Sequence, residues 1–234
     1  MLKECIILAG GLGTRLQSVV SDIPKVLAPV NNKPFLHYIL ENVSKYKIEH
    51  IVLSTGYLHE KIELFVKEKH SRKNISFAIE KEPLGTGGAI ANALQQCNTD
   101  EVLILNGDTF FDIDYNFFYH HHNHHCAEFS IALKTMQNFN RYGTVAIDGH
   151  RRITAFQEKR QMEEGIINAG IYIVNRPCFN EMNWPMKFSM EKEYMEKYFN
   201  SIPMYGFVYE GYFIDIGIPE DFEKVQMDFK QLFP

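Results

Sequence analysis

The feature that most constrains this chain is a charge-free run, Cys5-Ile6-Ile7-Leu8, which breaks into Ala9-Gly10-Gly11-Leu12-Gly13-Thr14-Arg15-Leu16 and is followed by Pro24-Lys25-Val26-Leu27. An apolar run without polar alternation predicts a strand buried on both faces, so the sheet it joins must carry helices on each side. The glycines after it let bare backbone N–H groups face a ligand. Arg15, at the start of an expected helix, and Lys25 add two cations near the same strand end, and that combination suits a polyphosphate. It is not a Walker A loop, since no Gly-Lys-Ser/Thr follows. Nor is it the dinucleotide fingerprint, because Leu16 stands where the third glycine would be.

The rest of the chain repeats the alternation of strand and helix. A helix is expected over Pro34–Tyr46, where Phe35, Leu36, Ile39, Leu40 and Val43 recur at helical spacing, and strands over His50–Ser54 and Ile75–Glu80 flank an amphipathic helix over Leu58–Lys69. A helix over Gly87–Gln96 and a strand over Glu101–Leu105, ending in Asn106-Gly107-Asp108, follow. Such alternation predicts an α/β fold, a Rossmann-like αβα sandwich with a mostly parallel mixed central sheet and ligands at the carboxyl ends of the strands. The second half reads as closely spaced strands, over 128–134, 144–147, 152–157 and 166–175, with Gly turns at 143, 149 and 165, and is expected to be antiparallel. A helix over Ser189–Phe199, strands near 204–209 and 212–214, and a closing helix over Pro219–Leu232 complete it. With no internal repeat or low-complexity linker, residues 1–234 read as a single domain, its first part spanning about 1–112 and its second about 113–234.

Composition narrows the partners. A formal net charge of −5 argues against a general nucleic-acid binder, so an anionic ligand has to be met by a few local cations. Cys5, Cys97, Cys126 and Cys178 form no C-x-x-C pair, there is no charged-then-apolar leader, and no apolar run approaches a membrane span; a reduced, cytoplasmic protein is expected, with homo-oligomerisation left open.

Several polar residues stand where chemistry could use them. Asp108 ends a strand and either caps a turn or holds a cation, and Asp215, in the apolar Ile214-Asp215-Ile216-Gly217, carries a charge that needs a partner. Asp112-Ile113-Asp114 is an Asp-x-Asp pattern, but it lies beyond the strand end and is read as a helix start capped by Asp114. Glu80 ends a strand just before Pro83-Leu84-Gly85-Thr86-Gly87-Gly88-Ala89; a carboxylate offers only acceptors, which suits the adjacent N1–H and N2–H₂ donors of guanine. His120, His121, His122, His124 and His125 lack the spacing of a structural zinc site and are read as a solvated helix end.

Gly10-Gly11-x-Gly13-Thr14-Arg15 with the later Pro24-Lys25 resembles the signature of the sugar-nucleotide pyrophosphorylases, enzymes that join a nucleoside triphosphate to a sugar 1-phosphate. The resemblance runs from Cys5 to about Phe222, with no C-terminal left-handed β-helix of the kind many relatives carry. Among short relatives, residues 19–25, 80–90 and 106–112 look most like the D-glycero-α-D-manno-heptose 1-phosphate guanylyltransferases, with Val26 as a departure after the lysine. This resemblance implies a catalytic set of Arg15, Lys25 and Asp108, with Mg²⁺ held by Asp108 and Asp215. It implies nucleotide contacts from Leu8, Ala9, Gly10, Gly11, Gly13, Thr14, Glu80, Pro83, Gly85, Thr86, Asn106 and Gly107. For the sugar phosphate it implies Tyr142-Gly143, Glu158-Lys159, Asn168 and Gly170. The implied partners are GTP and a sugar 1-phosphate.

Three other readings stay open at this point. One is a mannose-1-phosphate guanylyltransferase or a uridylyl- or thymidylyltransferase for another sugar 1-phosphate. A glycosyltransferase built on Asp112 and Asp114 would release nucleoside diphosphate instead of pyrophosphate. A non-catalytic sensor is the third, disfavoured because Arg15, Lys25, Asp108, Lys159 and Asp215 are all present.

Overall fold

The computed structural model describes residues 1–11, 13, 16 and 22–233. In chain order the strands are β1 (Glu4–Leu8), β2 (Pro29–Val30), β3 (Lys33–Pro34), β4 (His50–Thr55), β5 (Ile75–Ile79), β6 (Glu101–Asn106), β7 (Thr109–Phe111), β8 (Phe129–Phe139), β9 (Thr144–Ile147), β10 (Ile153–Gln157), β11 (Met162–Asn175), β12 (Met204–Val208) and β13 (Phe213–Asp215). The helices are α1 (Phe35–Val43), α2 (His59–Lys69), α3 (Gly85–Leu94), α4 (Tyr115–His124), α5 (Arg176–Glu181), α6 (Glu196–Tyr198) and α7 (Pro219–Leu232). Among these residues no helix is long and apolar enough to cross a membrane.

A nine-stranded mixed sheet forms among the described residues in the order β10-β9-β11-β6-β1-β4-β5, with β8 paired to β11 and carrying β12. The block β6-β1-β4-β5 is parallel throughout, so Leu8, Ser54 and Asn106 share one register row at its carboxyl edge. Its apolar runs are continuous because each strand is covered twice. Cys5, Ile7, Leu53, Leu103 and Leu105 pack into a core with α1, α2, α4 and α7, while Ile6, Val52, Val102 and Ile104 pack into a second core with α3 and α5. Fully burying each such side chain is worth about 1.5–3 kcal/mol, so the two-sided core dominates the stability of this block.

The acid at the start of β1 is accommodated at the opposite edge. Glu4 is buried and accepts hydrogen bonds from Asn98 N, Thr99 N and Thr99 Oγ1 at 2.6–2.8 Å, with His50 Nδ1 at 3.1 Å. Burial alone would raise its carboxyl, but these bonds outweigh it and hold it below the usual carboxylate range.

The second half departs from the expected pattern in four places. β12 is parallel to β8, because the helical crossover from β11 delivers it to the outer side of β8 running against β11. The helix expected over Ser189–Phe199 is a π-helical turn, Met190–Met195, leading into the short α6. Asn168-Ala169-Gly170, inside the strand expected over 166–175, forms a register shift in the long β11, with Gly170 at φ +71°. Of the α4 histidines, His120 and His124 are exposed as expected of a solvated helix end, but His122 is buried, with Nδ1 2.8 Å from Ser130 Oγ, and burial depresses its pKa to about 4. Asp114 caps α4 as expected, accepting from Asn116 N and Phe117 N, a contact worth about 1 kcal/mol.

Candidate active site

The carboxyl edge of the parallel block opens into a cavity of about 310 Å³ lined by Leu8, Ala9, Gly10, Gly11, Lys25, Val26, Glu80, Pro83, Gly85, Thr86, Ala89, Asn106 and Asp108. Three separate loops build it, each leaving the end of a strand: β1 supplies the first glycines, β5 delivers Glu80, and β6 delivers Asn106 and Asp108. Gly107 donates its N–H to Leu8 O at 2.9 Å, and a Cβ there would lie 2.5 Å from that oxygen, so the β6 turn needs a glycine to press against β1. Val26 and Ala89 are lining residues without a chemical signature of their own; in the sequence only their adjacency to Lys25 and to Gly88 marks them.

Beside this cavity two carboxylates meet one ammonium. The Lys25 side chain, mostly buried in a short 3-10 turn (Lys25–Leu27), donates to Asp108 Oδ2 at 2.6 Å and lies 3.8 Å from Asp215 Oδ1. Asp108 and Asp215 are far apart in sequence, and the small two-stranded sheet β7–β13 joins them. Thr109, next to Asp108, pairs with Asp215, and Ile216 N donates to Asp108 O at 3.0 Å. Asp215 Oδ1 also accepts from Gly217 N at 2.7 Å, and Tyr142 OH donates to Oδ2 at 3.4 Å. Burial first, and then the charge of Asp108, raises the Asp215 carboxyl above the usual range, against the opposing pull of Lys25, the Gly217 N–H and Arg141. Two converging carboxylates with more negative charge than Lys25 neutralises are a donor set suited to a hard divalent cation.

The loop that follows β5 is tied down by Glu80. Glu80 accepts from Leu84 N at 3.0 Å through Oε2 and from Ser54 Oγ at 3.4 Å through Oε1, leaving further acceptor capacity on both oxygens. A side chain on Gly10 would collide with Glu80 Oε1, so that glycine makes room for the carboxylate. The glycines of Gly85-Thr86-Gly87-Gly88 have another cause than ligand approach alone. Phe188 exchanges backbone hydrogen bonds with Leu84, Gly87 and Gly88, and its ring and carbonyl occupy the space that Cβ atoms on Gly85 and Gly87 would take. The Thr86 hydroxyl is spent on Glu191 Oε2, at 2.7 Å, and on Met190 N, at 2.9 Å. Phe188 and Glu191 are contributions that no motif in the sequence announces.

None of the expected sugar-side residues lines the cavity itself. Asn168 accepts from Gly170 N at 2.9 Å and donates to Tyr172 OH at 3.0 Å. A Cβ on Gly170 would sit 2.5 Å from Asn106 Nδ2, so this bulge touches a cavity-lining residue. A Cβ on Gly143 would lie 2.6 Å from Gln157 O, which brings Tyr142-Gly143 beside the segment leading to Glu158 and Lys159. Those two follow β10 and are exposed; among the described residues neither is ion-paired with the Lys25–Asp108–Asp215 cluster. Arg141 donates to Tyr142 OH at 3.1 Å and pairs with Asp221 in the first turn of α7, steadying the tyrosine from a helix the motifs did not implicate. Thr14 and Arg15 lie outside the described residues. Asp112 and Asp114 do not join the cluster: Asp114 is committed to the helix cap, and Asp112 is exposed.

Comparison with known proteins agrees with this architecture. The profile of the family described as nucleotidyl transferase matches residues 4–231. The chain is 47% identical over 225 residues to D-glycero-alpha-D-manno-heptose 1-phosphate guanylyltransferase of Aneurinibacillus thermoaerophilus, covering 96% of this chain and 97% of that protein. It is 42% identical over 219 residues to the guanylyltransferase of the same description from Campylobacter jejuni, covering 94% and 96%. The crystal structure of HddC from Yersinia pseudotuberculosis complexed with GMP-PN superposes with a TM-score of 0.88 at 36% identity, covering 97% of this chain and 100% of that one.

Proposed function

This chain belongs to the nucleotidyl transferase family, and on that premise we propose that it joins GTP to D-glycero-α-D-manno-heptose 1-phosphate, forming GDP-heptose and pyrophosphate. The observation that carries the reading is the ion cluster Lys25–Asp108–Asp215 beside a cavity lined by the β1 glycine loop. Near-full-length identity to two heptose 1-phosphate guanylyltransferases supports the choice of substrates.

The chemistry needs positioning more than proton transfer. A sugar phosphate monoester has a second pKa near ~6, so its oxygen is already anionic at neutral pH and no general base is required. That oxygen attacks the α-phosphorus of the nucleotide in line; the new P–O bond forms as the bond to the β-phosphate bridging oxygen breaks, and the electron pair leaves with pyrophosphate. In this reading the N–H groups of the Ala9–Gly11 stretch and Lys25 receive the triphosphate, joined by Arg15, Gly13 and Thr14. Lys159 anchors the sugar phosphate, with Glu158, Asn168, Gly170 and Tyr142-Gly143 around the sugar. Glu80 receives the guanine N–H donors, and Pro83, Gly85 and Thr86 flank the base and ribose. Mg²⁺ held by Asp108 and Asp215 would supply charge neutralisation on the reacting phosphates. The first part of the chain, to about residue 112, handles the nucleotide and the remainder the sugar.

Pyrophosphate release with GTP, UTP, dTTP, CTP and ATP, each against heptose, mannose and glucose 1-phosphates, tests the proposal. GTP with the heptose 1-phosphate should give the highest kcat/KM. A higher value with mannose 1-phosphate would replace the sugar assignment, and a higher value with UTP or dTTP would replace the base assignment.

A further inference from the structure

Away from the cavity, α1 and the end of α2 bring together the one group of three metal-ligating side chains found among the described residues: His37, Glu41 and His70, whose ligand atoms all lie within 4.8 Å of one another. We propose that these residues form a binding site for a divalent ion of the zinc class, which clips α1 to the carboxyl end of α2.

The geometry carries this further than a chance cluster. His37 and Glu41 are four residues apart on α1 and so project from one face of the helix. His70 is the residue that terminates α2, buried against the same face. His37 Nδ1 and His70 Nε2 are 3.3 Å apart. Two nitrogens bound to one tetrahedral zinc at about 2.0–2.1 Å are separated by roughly 3.3–3.4 Å, so the imidazoles already stand at the ligand–ligand spacing. The rings are fixed by their neighbours: Tyr38 packs edge-on to His37, and Phe65 edge-on to His70.

Glu41 supplies the third ligand and the only negative charge. It is half exposed and can turn, and Lys73 Nζ lies 3.3 Å from its Oε1. Lys73 is therefore an internal competitor for the carboxylate. Three protein ligands leave a fourth position for water, and a His₂Glu donor set is of the type zinc accepts.

The test uses the full chain after chelator treatment, titrated with ZnCl₂ in equilibrium dialysis and with Co²⁺ followed by its visible d–d absorption. Wild type should bind one equivalent whose affinity falls at least ~10-fold in His37→Gln and in Glu41→Gln, and rises in Lys73→Ala. Both mutated ligand positions are at least partly exposed, so the variants should keep their circular dichroism spectrum. Zinc at a hundredfold excess over its Kd should raise the melting temperature of wild type by about 5–10 °C and that of His37→Gln by much less. His120→Gln/His124→Gln and Asp108→Asn serve as controls for the histidines of α4 and for the carboxylate pair, and should retain the equivalent. Zinc binding unchanged in His37→Gln and Glu41→Gln, loss of the equivalent in either control, or no zinc bound by wild type would overturn the proposal.

Discussion

Lys25 Nζ donates to Asp108 Oδ2 at 2.6 Å, which places the cation proposed for the triphosphate on the carboxylate proposed for the metal. Removing the charge of Asp108 should therefore disturb both partners at once. Asp108→Asn is expected to depress kcat at least ~100-fold with Mg²⁺ present, as for the loss of one preorganised electrostatic contact. Asp112→Asn should stay near wild type in the same pyrophosphate assay. Near-normal turnover of Asp108→Asn would remove that residue from the mechanism, and a large loss in Asp112→Asn would bring back the glycosyltransferase reading.

Asp215 gives a prediction about stability and its pH dependence. Burial and Asp108 raise its folded-state pKa above the unfolded value near 3.8. Its contribution to stability is thus fully present below that value and is lost as pH rises through the raised folded pKa. At neutral pH the charged form is a net cost without bound metal, so Asp215→Asn, which can still accept from Gly217 N, should melt at a higher temperature than wild type in chelator. The same variant should lose activity by ~100-fold or more. Thermal melts at pH 4 and pH 7 check the sign: the advantage of the variant should shrink at pH 4, and an advantage that is larger at pH 4 would contradict the assignment.

Lys159 is exposed and unpaired with the carboxylate cluster, as a residue waiting for a phosphate would be. Lys159→Ala should raise the apparent KM for the sugar 1-phosphate by the loss of one charge-assisted contact, about 1.5–3 kcal/mol, and leave the KM for the nucleotide nearly unchanged. Initial-rate kinetics in both substrates separate the two; the reverse pattern would mean that the ends of the site are exchanged.

Glu80 keeps acceptor capacity beyond its bonds from Leu84 N and Ser54 Oγ. Guanine can offer it two donors, whereas uracil or thymine offers one N–H flanked by carbonyl oxygens. Glu80→Gln should cost about 1–3 kcal/mol in kcat/KM for GTP and little for UTP. A GTP/UTP ratio unchanged from wild type would take base reading away from Glu80.

Local chemistry was enough to make most of the strands and helices, and the glycine turn after β1, legible. Uninterrupted apolar runs at β1, β4 and β6 can only be buried on both faces, and glycines at a strand end can only mean a turn or a close approach. Asp114 could be read as a cap because a cap is a contact between residues two and three apart. What the tertiary structure decided are relationships between residues distant in the chain. Asp108 and Asp215, linked beforehand only by the family resemblance, become a pair because β13 adds to β7, a three-residue pairing with too weak a local signature to be read from the residues themselves. Gly87 and Gly88 follow a helix start, yet their lack of side chains answers to the Phe188 ring and the Met186 carbonyl, about a hundred residues away, whose approach no periodicity encodes. The same holds for His37 and His70: each is unremarkable in its own helix, and only the packing of α1 against the end of α2 brings the two ring nitrogens to 3.3 Å.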